Sequence, residues 1–135
     1  MIAVDTNLLV YLWLRSDKTG VSEKIHHCDP LWVAPFLWRS EFRNVVALYI
    51  RRGVSFELGL ESIENAENQM KGNELLVNSE EVMQLVRESG CTAYDCEFVH
   101  VAQIKSVPLV TFDTQILRKF PHIAIDPLKF IENFS

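Results

Sequence analysis

Four carboxylates stand at positions where an acid needs a reason. Asp5 follows the apolar run Ile2-Ala3-Val4, and Asp113 follows Leu109-Val110-Thr111-Phe112 just before a helix-like pattern opens at Thr114. Glu41 and Asp95 lie at helical spacing beside apolar neighbours. A buried charge is costly unless it is paired, bound to a metal or protonated, and no basic partner is evident on either helix face. If the two strand-end acids and the two helical acids converge, their mutual repulsion requires a compensating charge. Mg²⁺ or Mn²⁺ meets that need. Both are hard ions that take carboxylate and water oxygens, and one or two of them activate water for attack on a phosphodiester. Each acid also has a plainer explanation. Asp5 and Asp113 suit the N-caps of the helices that follow them, Thr92-Ala93-Tyr94-Asp95 has the outline of a capping box, and Glu41 near a helix start is favoured by the macrodipole.

The elements that must bring these acids together are legible as an alternation. Short β-like runs at Met1 to Val4, Leu31 to Ala34, Leu75 to Val77, Leu109 to Phe112 and Ile123 to Ile125 separate longer helix-patterned stretches. Such alternation predicts a single three-layer α/β/α domain over residues 1–135, with a central parallel sheet of four to five strands. Leu31 to Ala34 reads equally well as a loop. PLVTFD has the nearly unbroken apolar character of a strand buried on both faces, which predicts a central place for it. In an open parallel sheet ligands bind beyond the carboxyl ends of the strands, the edge where Asp5 and Asp113 should sit. Along Leu37 to Arg52, Trp38, Phe42, Val45, Val46 and Tyr49 share one apolar arc with Glu41 at its border. Along Thr92 to Lys105, Asp95 falls about 60° from Phe98, inside the arc predicted to face the core.

The totals narrow the classes. With 48% apolar residues, 135 residues can bury one sizeable core. A formal net charge of -5 provides no broad positive field, so any nucleic-acid contact must be local. Cys28, Cys91 and Cys96 lack CxxC spacing and clustered His partners, which argues against a disulfide framework or a zinc site and fits reduced, cytoplasmic thiols. No apolar run approaches the roughly 20 residues that span a bilayer, and the N-terminal stretch has no basic start. The expectation is a protein neither secreted nor membrane-embedded.

The stretches VDTNLLVYLW, APFLWRSEFRNVV, TAYDCEFVHVAQ, LVTFD and IDPLKFIENF, in this order, resemble the PIN domain, and within it the VapC-type endoribonuclease toxins of prokaryotic toxin-antitoxin pairs. The resemblance covers essentially the whole chain. It implies a Mg²⁺ or Mn²⁺ site and hydrolysis of RNA to a 5′-phosphate and a 3′-hydroxyl, and it assigns the family's acidic positions to Asp5, Glu41, Asp95 and Asp113. It also implies a homodimer and a cognate antitoxin that blocks the crevice. Asn7 resembles the polar residue that follows the family's first acid and is expected to steady Asp5, although it also suits a cap. Thr6 and Thr111 are placed to orient ligands or water, with turn chemistry and strand propensity as their plainer explanations. The stretch TQILRKFP lacks a further acid that some relatives carry, which implies a second metal that is weak or absent.

Phosphate contacts would fall to a few positions among Arg39, Arg43, Arg51, Arg52, Arg118 and Lys119, and would weaken as salt rises. Helical spacing points Arg39 and Arg43 away from Glu41, and places His100 and Glu97 on solvent-facing arcs. His26 and His27 lie in a connecting region, and Trp13, Trp32 and Trp38 suit a core or a subunit contact better than base stacking. Two rivals stand beside a metal-dependent ribonuclease. One is a non-catalytic PIN-like interaction module. The other is a phosphoryl-transfer enzyme with Asp5 as nucleophile, for which a second acid close behind is expected and Asn7 is found instead.

Overall fold

Ile2, Ala3 and Val4 are apolar on both sides of the chain and all three are buried, as a strand covered by helices on both faces requires. They form β1 (Ile2–Val4) of a computed structural model that describes residues 1–134. The elements that follow are α1 (Thr6–Trp13), α2 (Thr19–Cys28), β2 (Trp32–Pro35), α3 (Leu37–Arg51), α4 (Phe56–Met70), β3 (Glu74–Leu75) and α5 (Ser79–Ser89). The chain continues through α6 (Ala93–Lys105), β4 (Leu109–Val110), α7 (Thr114–Lys119), β5 (Ala124–Ile125) and α8 (Pro127–Glu132). All five predicted strand regions pair. The ambiguous run at Leu31 resolves as strand β2, buried along its whole length.

The sheet is parallel throughout, in the order β3-β2-β1-β4-β5. From β1 the chain winds outward to β2 and β3, then returns to the other side of β1 for β4 and β5. The direction therefore reverses between β1 and β4, and a crevice opens at such a switch point beyond the strand ends. The run PLVTFD is not the middle strand. β4 is interior, paired with both β1 and β5, while β1 holds the centre.

Helices cover both faces. α1 packs with α2, α3 and α4, and α8 lies against α2. On the other face α6 crosses β1, β2 and β4, with α5 packed outside it. The apolar arc of α3 behaves as its spacing predicts: Trp38, Phe42 and Val46 are buried, Val45 and Tyr49 half-buried. Trp32 and Trp38 belong to the core, and half-buried Trp13 donates from Nε1 to Gln69 at 2.7 Å. Among the described residues no helix is long and apolar enough to cross a membrane.

Candidate functional site

Strand register sets the first half of the site. Val4 pairs with Val110, so the residues that follow them, Asp5 and Thr111, leave the sheet side by side. The Thr111 hydroxyl donates a short hydrogen bond to Asp5 Oδ2 and accepts the Asp113 backbone N–H at 3.0 Å. One hydroxyl thus ties both strand-end acids together. The capping role is also real: Asp5 Oδ1 accepts from Leu8 N at 3.1 Å, and Asp113 Oδ1 accepts from Ile116 N at 3.0 Å. Capping and a site role are therefore compatible here, because an ionised carboxylate has about four acceptor sites and the bonds from Leu8 and Thr111 take only two of those on Asp5.

The second half comes from the helices. α3 starts just after β2 leaves the sheet, which puts Glu41 near the same edge, where the Thr6 hydroxyl donates to its Oε1 at 2.6 Å. α6 starts on the opposite layer at that edge, capped by Thr92 Oγ1 accepting from Asp95 N at 3.1 Å. Asp5, Glu41, Asp95 and Asp113 all line one cleft of about 260 Å³, together with the polar Thr6, Asn7 and Asn44 and the apolar Val45, Phe98 and Ile116.

Charge shows that the acids sense one another. Burial, opposed by the bonds from Thr111 and Leu8, raises the Asp5 pKa to about 6, with smaller upward contributions from the charges of Asp113 and Glu41. Burial also raises Glu41, against the Thr6 bond and with Asp95 adding to the rise. Asp95 is raised by burial and then by Asp113, against its bond to Thr92. No Lys or Arg lines the cleft.

Among the described residues, no three His, Cys, Asp or Glu side chains are gathered as a ready-made metal cage. The cleft instead offers carboxylate oxygens spread around an open space. That suits a hydrated hard cation, since Mg²⁺ dehydrates reluctantly, keeps several waters and is commonly held by one or two carboxylates. The oxygen-only donor set and the unneutralised acids fit such an ion; soft metals would favour sulfur or imidazole.

Several predicted positions differ. Asn7 lines the cleft but is exposed and makes no hydrogen bond to Asp5, whose two oxygens are already engaged by Leu8 and Thr111. Glu97 is half-buried rather than solvent-facing, and burial followed by the Glu41 charge raises its pKa. His100 is buried, not a surface residue, with Nε2 3.3 Å from Glu81 Oε2 but outside hydrogen-bond geometry. α6 is enclosed by the sheet on one side and α5 on the other, so a single buried arc does not describe it. Arg39 is committed elsewhere: Nε and Nη2 bond Glu74 at 2.5 and 2.8 Å, and Nη1 lies 3.5 Å from Glu67. Asn44 is a site residue that the spacing could have revealed, because it lies one turn beyond Glu41 on the same helix face. The Cys96 thiol, raised chiefly by burial and sitting 3.8 Å from Ser89 Oγ, is no activated nucleophile.

No family model matches the chain, and no curated protein matches it. Solved structures do. PAE2754 from Pyrobaculum aerophilum is 21% identical, with a TM-score of 0.70 over 98% of this chain and 95% of its own. A toxin-antitoxin complex from Klebsiella pneumoniae contains a chain 15% identical, with a TM-score of 0.72 over 94% of this chain and 98% of its own. At these identities the likeness establishes the shared α/β/α fold along nearly the full length of the chain.

Proposed function

We propose that the protein is a divalent-metal-dependent endoribonuclease of the PIN type, the toxin of a toxin-antitoxin pair. The observation that carries this reading is the convergence of Asp5, Glu41, Asp95 and Asp113, from two strand ends and two helices, on one cleft in which burial first and neighbouring carboxylates second raise the pKa values of Asp5, Glu41 and Asp95. The similarity to a chain in a toxin-antitoxin complex supports the biological setting.

Asp5, Glu41, Asp95 and Asp113 would hold Mg²⁺ or Mn²⁺. When bound, the cation supplies positive charge to the phosphodiester and brings the pKa of a water within reach of neutral pH. Thr111 fixes the Asp5 carboxylate and Thr6 fixes Glu41, so both present one orientation to the cleft. Val45, Phe98 and Ile116 contribute apolar surface to the lining, which would limit bulk water there. Whichever of Glu41 and Asp95 is not engaged by the cation at the moment of attack would accept the proton that the attacking water gives up. Water oxygen bonds to phosphorus, the bond to the 3′ oxygen breaks, and a proton completes the 3′-hydroxyl, leaving a 5′-phosphate. Exposed Arg43, Arg51, Arg52, Arg118 and Lys119 remain for phosphate contacts. A homodimer, a cognate antitoxin over the cleft and a cytoplasmic location belong to the same proposal.

The test is incubation of purified protein with an RNA pool and Mg²⁺ or Mn²⁺, followed by mapping of the ends, with Asp5→Asn and Asp95→Asn as controls. Metal-dependent cleavage that both variants lose supports the assignment. Cleavage unchanged in both places the activity in a contaminant or another site.

A further inference from the structure

We propose that the groove beside the carboxylate cleft, lined by Leu37, Ser40, Glu41, Asn44 and Tyr94, is a subsite for one unpaired nucleobase of the RNA strand. The proposal rests on the ribonuclease reading and specifies how its substrate is held. Glu41 and Asn44 line both spaces, so the groove continues the cleft past Glu41, with Asp5, Asp95 and Asp113 outside its lining. A strand whose phosphate lies at the carboxylates would place a neighbouring nucleotide there.

The groove's chemistry selects the base over the phosphate. Its one charged lining residue is Glu41, which disfavours an anion. Its volume, about 250 Å³, falls below the roughly 300–1,000 Å³ of sites for drug-sized ligands and suits a single planar ring system. Tyr94 stands at 62% exposure in the first turn of α6, next to Asp95, and has no ring or hydrogen-bond partner among the described residues. A large aromatic side chain held out beside an acidic cleft is a stacking surface, and sequence-specific RNA recognition stacks splayed, unpaired bases on such rings. The side chains of Asn44 and Ser40 are exposed and unpartnered among the described residues, free to hydrogen-bond a base edge. Leu37 supplies an apolar contact. Stacking also provides affinity that the acidic cleft, with no lining cation, does not.

The experiment measures steady-state cleavage of a short single-stranded RNA bearing one mapped site, by wild type, Tyr94→Ala, Tyr94→Phe and Asn44→Ala, each also melted with and without Mn²⁺. Tyr94→Ala is expected to lower kcat/KM about tenfold, mainly through KM, as loss of one stacked base does. Tyr94→Phe should restore it, and Asn44→Ala should flatten the base preference next to the cleaved bond. The Mn²⁺-induced rise in Tm should be unchanged in Tyr94→Ala, which separates substrate binding from folding or metal binding. Wild-type KM and wild-type site choice in Tyr94→Ala would overturn the subsite while leaving the ribonuclease assignment intact. Failure of the wild type to cleave any RNA would defeat that assignment, and the subsite with it.

Discussion

Two of the regions that bury polar groups treat them in opposite ways. At the switch point between β1 and β4, Asp5 is only 9% exposed, yet both of its oxygens have donors, and the Thr6 and Thr111 hydroxyls are each spent on a carboxylate. In the groove between α5 and α6, His100 is 2% exposed and neither ring nitrogen has a hydrogen-bond partner among the described residues. An orphaned buried polar group costs about 1–3 kcal/mol. The cleft bears a different cost, that of like charges held near one another, while its hydrogen bonds fix their positions. Organised polar burial that remains electrostatically strained is what a cation site needs before the cation arrives. Disorganised polar burial at His100 contributes no such organisation.

The largest effect should come from Asp5→Asn. RNA cleavage should fall at least about 100-fold, as on removal of a main electrostatic contact in a nuclease site, measured as single-turnover rates in Mn²⁺. The same variant should be more stable than wild type in metal-free buffer at pH 7, because it removes a buried charge facing Glu41 and Asp113.

Next comes pH. The Asp5 pKa is raised from 3.8 to about 6, so between those values the native state binds a proton that the unfolded chain has released. The stability from this proton is complete below about pH 4 and is lost as pH rises through 6, a decline of up to about 3 kcal/mol. Urea unfolding of the metal-free protein from pH 4 to 7 should show this decline, and Asp5→Asn should flatten it.

Thr111→Val keeps the strand-compatible shape and removes the hydroxyl that joins Asp5 to Asp113. Mn²⁺ affinity should fall about 10- to 100-fold, the usual cost of losing a partner that orients a ligand, as read by calorimetric titration. An unchanged affinity would mean that the hydroxyl does not position the acids.

The smallest effect belongs to the other region. His100→Leu should raise stability by about 1 kcal/mol in chemical denaturation, since it removes, at similar volume, two buried ring nitrogens that make no hydrogen bond among the described residues. A loss of that size would show that His100 has a partner in solution, with Glu81 at 3.3 Å the first candidate, and the contrast between the regions would narrow.

Much of the fold was legible because parallel strands buried on both faces read as uninterrupted apolar runs, and Asp5 and Asp113 interrupt the chain just beyond two of them. The helical acids followed from a 100° step, which works where a helix has one buried face, as α3 does with Trp38, Phe42 and Val46. On α6 it pointed to Asp95 but misplaced His100 and Glu97, because Cys96, Phe98, Val99, His100, Val101 and Ala102 are all buried and no single arc exists. Contacts between distant segments were not legible. Nothing local to Arg39 announces Glu74, 35 residues on, and the placement of β1 rather than β4 at the centre depends on pairings that no window of residues contains.

The most direct test of a common divalent cation is the melting temperature at pH 7 with and without Mn²⁺, for wild type and Asp5→Asn side by side. Binding to the native state alone stabilises it by mass action, so the wild type should melt several degrees higher in Mn²⁺ and the variant should lose most of that rise. Equal melting of the wild type in both buffers, or an equal rise in the variant, would contradict the claim that these four carboxylates serve one cation.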